Sequence, residues 1–237
     1  MMMRSYRQKR PKVVLIIAFL TSISMLSVCL AQTTDLPEEI QGAIQELVDN
    51  GYAVGIVVGV LDSNDTEFYD YGTLAYNSNQ TVNENTIFEI GSITKVFTTL
   101  ILADMVVRGE LSLDDPIEEY LPDVKVPARN GKKITLKDLT THTSGLPRMP
   151  DNFAPEDWSN PYVDYTVKNL YEFLSNYTLT RDIGAQFEYS NLGMGLLGHI
   201  LALRSDTTFE ELVKSRICDE LGLEDTTISL TPSNRFD

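Results

Sequence analysis

Histidine, cysteine and tryptophan are nearly absent from this chain, whose 237 residues hold two, two and one of them respectively. Two cysteines make no disulfide framework. Cys29 falls in an N-terminal apolar run, which leaves Cys218 as a small packed residue. His142 and His199 are far apart in motif terms, and His142 lies in a turn whose threonine and glycine look structural, so neither is read as catalytic. Asp62-Ser63-Asn64 has the look of a calcium loop, but Glu67 stands where that loop needs glycine. Positive charge is also scarce, with 19 Lys and Arg against 34 Asp and Glu, a formal net charge of −15. Five of the basic residues lie in the first twelve, so the remainder carries −20. Such a body repels nucleic acid and anionic membrane surfaces, which excludes both as partners, although solubility is the simpler use of the charge. No internal repeat or low-complexity tract is visible.

Only one long apolar run is present, Val13 to Ala31, and it follows Arg4, Arg7, Lys9, Arg10 and Lys12 with no acid before Asp35. That is the pattern of an export signal. Cleavage after Ala31, retention as a membrane anchor and lipidation at Cys29 are three outcomes of one segment, and each places residues 32–237 outside the cytoplasm. Asn64, Asn79 and Asn176 stand in N-x-Thr triplets, glycan sites if the host glycosylates.

Beyond the leader, Asp35 and Pro37 open an amphipathic helix with Ile40, Ile44, Leu47 and Val48 on one stripe, ended by Gly51. The valine-rich run Ala53 to Leu61 reads as a strand buried on both faces, hairpin-linked to Thr66–Tyr71. Thr86–Ile90 reads as a short third strand. Helical spacing begins at Lys95, continues through Phe97, Leu100, Ile101, Met105 and Val106, and stops at Gly109. Asp115 and Pro116 cap a short helix, and Thr135 with Asp138 forms a capping box ahead of a turn closing at Gly145. A loop rich in Pro, Asn and Asp spans 147–164. Helical patterns return at Val167–Leu174, Leu192–Leu203 and Phe209–Leu221. Strands therefore cluster before Ser92 and helices after it, an α/β (α+β) arrangement. A sheet of two or three strands with one buried on both faces is unfinished.

Two short motifs carry chemistry. Ser92-Ile93-Thr94-Lys95 puts a lysine one helical turn from a serine, on the same face. Tyr189-Ser190-Asn191 follows about a hundred residues later. Taken singly, Ser92 is a helix cap, Lys95 a solvated lysine, Tyr189 a packing aromatic and Asn191 a second cap. An S-x-x-K arises by chance about once in a chain of this size. Taken together they make an acyl-transfer site that needs no histidine. Gly91 permits close backbone approach, the helix N-terminus adds positive potential where an oxyanion develops, and a buried Lys95 or the Tyr189 phenol takes the serine proton.

Phe88-Glu89-Ile90-Gly91-Ser92-Ile93-Thr94-Lys95 resembles the active-site block of the serine beta-lactamase and penicillin-binding-protein-like hydrolases, the class C type in particular. Gly109–Pro116, Ile134–Leu139, Thr141-His142-Thr143-Ser144-Gly145-Leu146-Pro147, Phe187–Asn191 and Leu221–Thr226 agree in order, so the resemblance runs from about residue 37 to about 230. It implies a beta-lactamase/transpeptidase-like fold with the N-terminal strands of an antiparallel sheet and a helical region. It also implies an acyl-enzyme hydrolase without metal or cofactor, acting on a small-molecule or peptide substrate. In that mechanism Ser92 is the nucleophile, Lys95 and Tyr189 share proton transfer, Asn191 binds substrate, and the Ser92 N–H forms half of the oxyanion hole.

The chain departs from the family in one respect. The family's third motif, Lys-Thr-Gly or His-x-Gly on a later strand, has no match between Leu192 and Asp237. The expectation is a C-terminally truncated member lacking the last strands of the sheet, poorly folded and nearly inactive as given, since one oxyanion donor is worth about 10²–10³ in rate. A non-catalytic penicillin-binding or sensing module is the alternative.

Overall fold

Pro37, with φ fixed near the helical value, starts the first element of the computed structural model, which describes residues 36–61 and 65–230. The export segment with Cys29, the turn at 62–64 with Asn64, and residues 231–237 lie outside the described residues. The chain divides into two units, one ending at Thr86 and one beginning at Ile87.

In the first unit, helix α1 (Glu38–Asp49) carries Glu38 and Glu39 in its first turn, where carboxylates complement the exposed N–H groups. Gly51 leaves the helix at φ +74°. Strand β1 (Gly55–Leu61) pairs antiparallel with β2 (Thr66–Gly72), from Gly55 opposite Gly72 to Leu61 opposite Thr66. Gly72 sits at φ +100°, and a Cβ there would stand 2.3 Å from the Val54 carbonyl oxygen, so only glycine closes this end of the hairpin.

Two expectations for this region need correction. No residue of β1 is fully buried, because among the described residues only β2 pairs with it. Its apolar run is a half-covered strand rather than one buried on both faces. Thr86–Ile90 is not a strand. The Thr86 N–H and hydroxyl are spent on a turn with Asn83, no described strand takes up the backbone that follows, and Ile90 is already helical at φ −77°, ψ −3°. Phe88 and Ile90 remain 49% and 42% exposed.

The second unit is helical. A 3-10 turn, Gly91–Ile93, runs into α2 (Thr94–Val107), which Gly109 ends at φ +70°. Helices α3 (Leu136–Thr140) and α4 (Val167–Asn176) both open with a capping box, Thr135 with Asp138 and Thr166 with Asn169. The latter was not read from sequence. Helix α5 (Asn191–Arg204) is apolar on nearly every face and accordingly lies in the middle, packed by α2, α3 and α6 (Phe209–Val213). Leu196, Leu197, Ile200 and Leu201 of α5 are wholly buried against Ile101 and Met105 of α2, Leu139 of α3 and Leu174 of α4 in one core. The helical pattern expected to run on from Phe209 passes through a π turn, Lys214–Cys218, into the short α7 (Asp219–Leu221).

Asp115 caps no helix. Ile117–Tyr120 is a 3-10 turn, and the Asp115 carboxylate instead accepts the Ser112 N–H at 2.7 Å and the Tyr120 hydroxyl at 2.6 Å. Cys218 is buried, and burial raises its thiol pKa, as suits a packed, unreactive residue.

Candidate active site

Ser92 sits in the 3-10 turn just ahead of α2, and its side chain caps nothing. This removes the ordinary reason for a serine at a helix N-terminus. Lys95 begins the next turn on the same face, and its Nζ donates to Ser92 Oγ at 3.2 Å. From the other side the Tyr189 hydroxyl donates to the same oxygen at 2.7 Å. The Lys95 ammonium also lies 4.8 Å from the centre of the Tyr189 ring. The three side-chain tips named from sequence therefore meet at one oxygen, although 97 residues separate Ser92 from Tyr189. Ser92 is exposed and Lys95 and Tyr189 are half-buried, so Lys95 is not the buried amine that one sequence argument required. The Lys95 ammonium first, then the Ser92 hydroxyl, lowers the pKa of the Tyr189 phenol from its ordinary 10.0.

Helix α5 supplies the opposite wall. Its cap is Ser190 rather than Asn191: the buried Ser190 Oγ accepts the Gly193 N–H at 2.8 Å and donates to the Pro147 carbonyl at 2.7 Å. Relieved of capping, Asn191 points its amide across the groove to Met149, with Nδ2 3.7 Å from Sδ. Asn191 lines both a cavity of about 700 Å³ shared with Ser92 and Lys95, and an adjoining one of about 270 Å³ walled by Phe153, Tyr165 and Leu170. Concave space of this size beside convergent polar groups suits a small-molecule or peptide substrate.

Several contributors carried no usable signal in the sequence. The Arg148 carbonyl accepts the N–H groups of Asn191 and Leu192 at 3.0 and 3.2 Å, and its guanidinium carbon lies 5.1 Å from the Tyr189 ring centre. His142, set aside as part of a structural turn, contacts the ring of Tyr189 at 4.7 Å and accepts the Ser190 N–H on Nδ1 at 3.1 Å. His199 is half-buried, bonds the Tyr171 hydroxyl at 2.7 Å through Nε2, and lines the same cavity as Ser92. Among the described residues no group of three or more His, Cys, Asp or Glu is placed to hold a metal ion, and no helix is long and apolar enough to cross a membrane.

Comparison with known proteins gives a consistent result. The family model described as Beta-lactamase matches residues 40–236. The chain is 32% identical over 220 residues to the D-alanyl-D-alanine-carboxypeptidase/endopeptidase AmpH of Escherichia coli K12, covering 91% of this chain and 57% of that protein. It is also 32% identical over 200 residues to a beta-lactamase of Pseudomonas fluorescens, covering 83% and 52%. Among solved structures, a beta-lactamase/D-alanine carboxypeptidase from Yersinia pestis superposes with a TM-score of 0.72 at 28% identity, covering 82% of this chain and 57% of the other. A class C beta-lactamase from Rhodobacter sphaeroides gives 0.67 at 31% identity, covering 83% and 52%. The chain thus spans about half the length of the curated relatives it matches.

Proposed function

Because the chain belongs to the beta-lactamase family, we propose that it is a serine hydrolase in which Ser92 attacks an amide, beta-lactam or ester carbonyl to form an acyl-enzyme. One observation carries this reading, the convergence of the Lys95 and Tyr189 donors on Ser92 Oγ. With both donors in place the serine oxygen is oriented but not yet nucleophilic. The lowered Tyr189 pKa supplies the next step. When the phenol ionises, its hydrogen bond with Ser92 reverses, and the serine O–H then donates to the phenolate and loses its proton to it during attack. Lys95, hydrogen-bonded to Ser92 Oγ, stabilises the negative charge that develops there and relays the proton to the leaving group, regaining from the Tyr189 phenol the one it gives up. In the second half-reaction the same phenolate draws a proton from the water that cleaves the ester on Ser92. Asn191, freed from capping, is a donor for the substrate's amide or ester carbonyl, and the N-terminus of α2 favours the oxyanion.

The AmpH relative is named as a D-alanyl-D-alanine carboxypeptidase and endopeptidase, and others as beta-lactamases. We take both a beta-lactam and a D-alanyl-D-alanine peptide as substrates to try. The basic and apolar leader at 1–31 supports an extracytoplasmic place for such a reaction, as a secreted or membrane-anchored protein. The test is covalent trapping. A fluorescent penicillin should add one acyl group, peptide mapping should put it on Ser92, and Ser92→Ala should abolish it. An acylable sensing module would trap the probe without releasing it, and a pure binding module would label no more than Ser92→Ala does. Label that persists unchanged in Ser92→Ala would end the reading altogether.

A further inference from the structure

His142 holds a left-handed backbone conformation, φ +58°, which a non-glycine residue adopts at a cost and which turns its carbonyl and its ring toward the same segment. That segment carries Tyr189. The His142 carbonyl accepts the Glu188 N–H at 2.8 Å, and its Nδ1 accepts the Ser190 N–H at 3.1 Å. Main-chain groups on both sides of Tyr189 are thus held by one residue, while the imidazole lies against the phenol ring at 4.7 Å with 35° between the planes. Phe187 closes the other part of the imidazole edge-on at 5.6 Å. We propose that His142 is a positioning residue that brackets Tyr189 and holds its hydroxyl on Ser92 only while the imidazole is neutral; this rests on the reading of Ser92 as the nucleophile.

The geometry dictates the tautomer. Nδ1 accepts from a backbone N–H, so in the neutral ring the proton belongs on Nε2. Adding a proton to Nδ1 turns the acceptor into a donor facing another donor, and the buried Ser190 N–H loses its partner. The ionisable groups on the surrounding elements are Lys95 from α2, Asp138 from α3, Arg148 from the loop after it, and Tyr189 with the Arg181–Glu188 ion pair. Asp138 is already engaged by Thr135 and Thr143. Burial, then the Lys95 charge, holds the imidazole pKa below its ordinary 6.5. A depressed pKa places the contribution of the bracket above the unfolded value and removes it as pH falls through the folded one.

The test is an NMR titration of the whole chain that follows the His142 ring, the Ser190 amide and the Tyr189 Cζ, run beside the rate of Ser92 labelling by a fluorophosphonate. In the parent, the Ser190 and Tyr189 signals should move with the His142 midpoint, and labelling should fall about tenfold per pH unit below it. His142→Asn offers Oδ1 in place of Nδ1 and tolerates positive φ. It should keep labelling within about fivefold of the parent, the worth of one neutral hydrogen bond, and lose the acid limb. His142→Ala should lose roughly ten- to a hundredfold at neutral pH. Signals of Tyr189 and Ser190 that ignore the His142 titration, or an acid limb that survives in His142→Asn, would overturn the proposal. A parent that takes no label while the three signals still titrate together refutes Ser92 as nucleophile and leaves the bracket standing.

Discussion

At the scale of the residue, the chemistry depends on what Lys95 does to its neighbours. Standing 3.2 Å from Ser92 Oγ and 4.8 Å from the Tyr189 ring centre, the ammonium favours negative charge on either oxygen. The consequence is a second, basic inflection in the pH profile of Ser92 labelling, distinct from the one at His142. The rate should climb as the phenol ionises and level off below the ordinary tyrosine value of 10.0, and Tyr189→Phe should remove the rise while lowering the rate about 10²–10⁴-fold. A rate profile measured across that range checks it. The Ser92–Lys95 pair was legible from sequence because three residues make nearly one helical turn, and the α2 pattern begins where the pair requires it. Tyr189 was legible only as part of a motif, since nothing local says what lies beside it. The contacts of His142 were not legible, for a related reason. Its partner is a main-chain N–H, 48 residues away, and a side chain's preference for a distant peptide group leaves no spacing to read.

At the scale of the element, capping chemistry positions the site more than propensity does. The Thr135–Asp138 box is internal to four consecutive residues and was read correctly, because both partners must stand three apart. Asp138 is also one of four buried polar residues among those described, and it ties the start of α3 to Thr143, next to His142. Thr135→Ala should therefore destabilise the second unit by about 0.5–2 kcal/mol, toward the upper end because Asp138 Oδ2 loses a 2.7 Å donor. Chemical denaturation with and without the substitution measures this. Taken alone, Asn191 read as the α5 cap, one position beyond the residue that fills that role. Both residues are good caps, and what decides is that Ser190 also reaches the Pro147 carbonyl. Thr86–Ile90 misled for a different reason: β-branched and aromatic residues in a row describe a strand only where another strand waits to pair with them.

For the whole molecule, every side chain given a role in the proposed chemistry lies in the second unit, from the 3-10 turn at Ser92 to the start of α5. Helical spacing showed where α5 lies but not that it is the central helix, a place its apolar residues on nearly every face explain. The β1–β2 hairpin was legible too, but the burial of β1 was not, because a valine-rich run shows that a strand is apolar and not how many neighbours cover it. The family match and the convergence at Ser92 both support the proposed acyl-transfer centre. That centre requires the lysine, the tyrosine and the serine to act as a unit, and groups acting as a unit are strongly non-additive when removed. The decisive measurement is the rate at which a fluorophosphonate labels Ser92 in the parent chain, in Lys95→Met, in Tyr189→Phe and in the double variant. Each single change should slow labelling by about 10²-fold or more and the double change by little beyond that. Single variants that label Ser92 as fast as the parent would contradict the account.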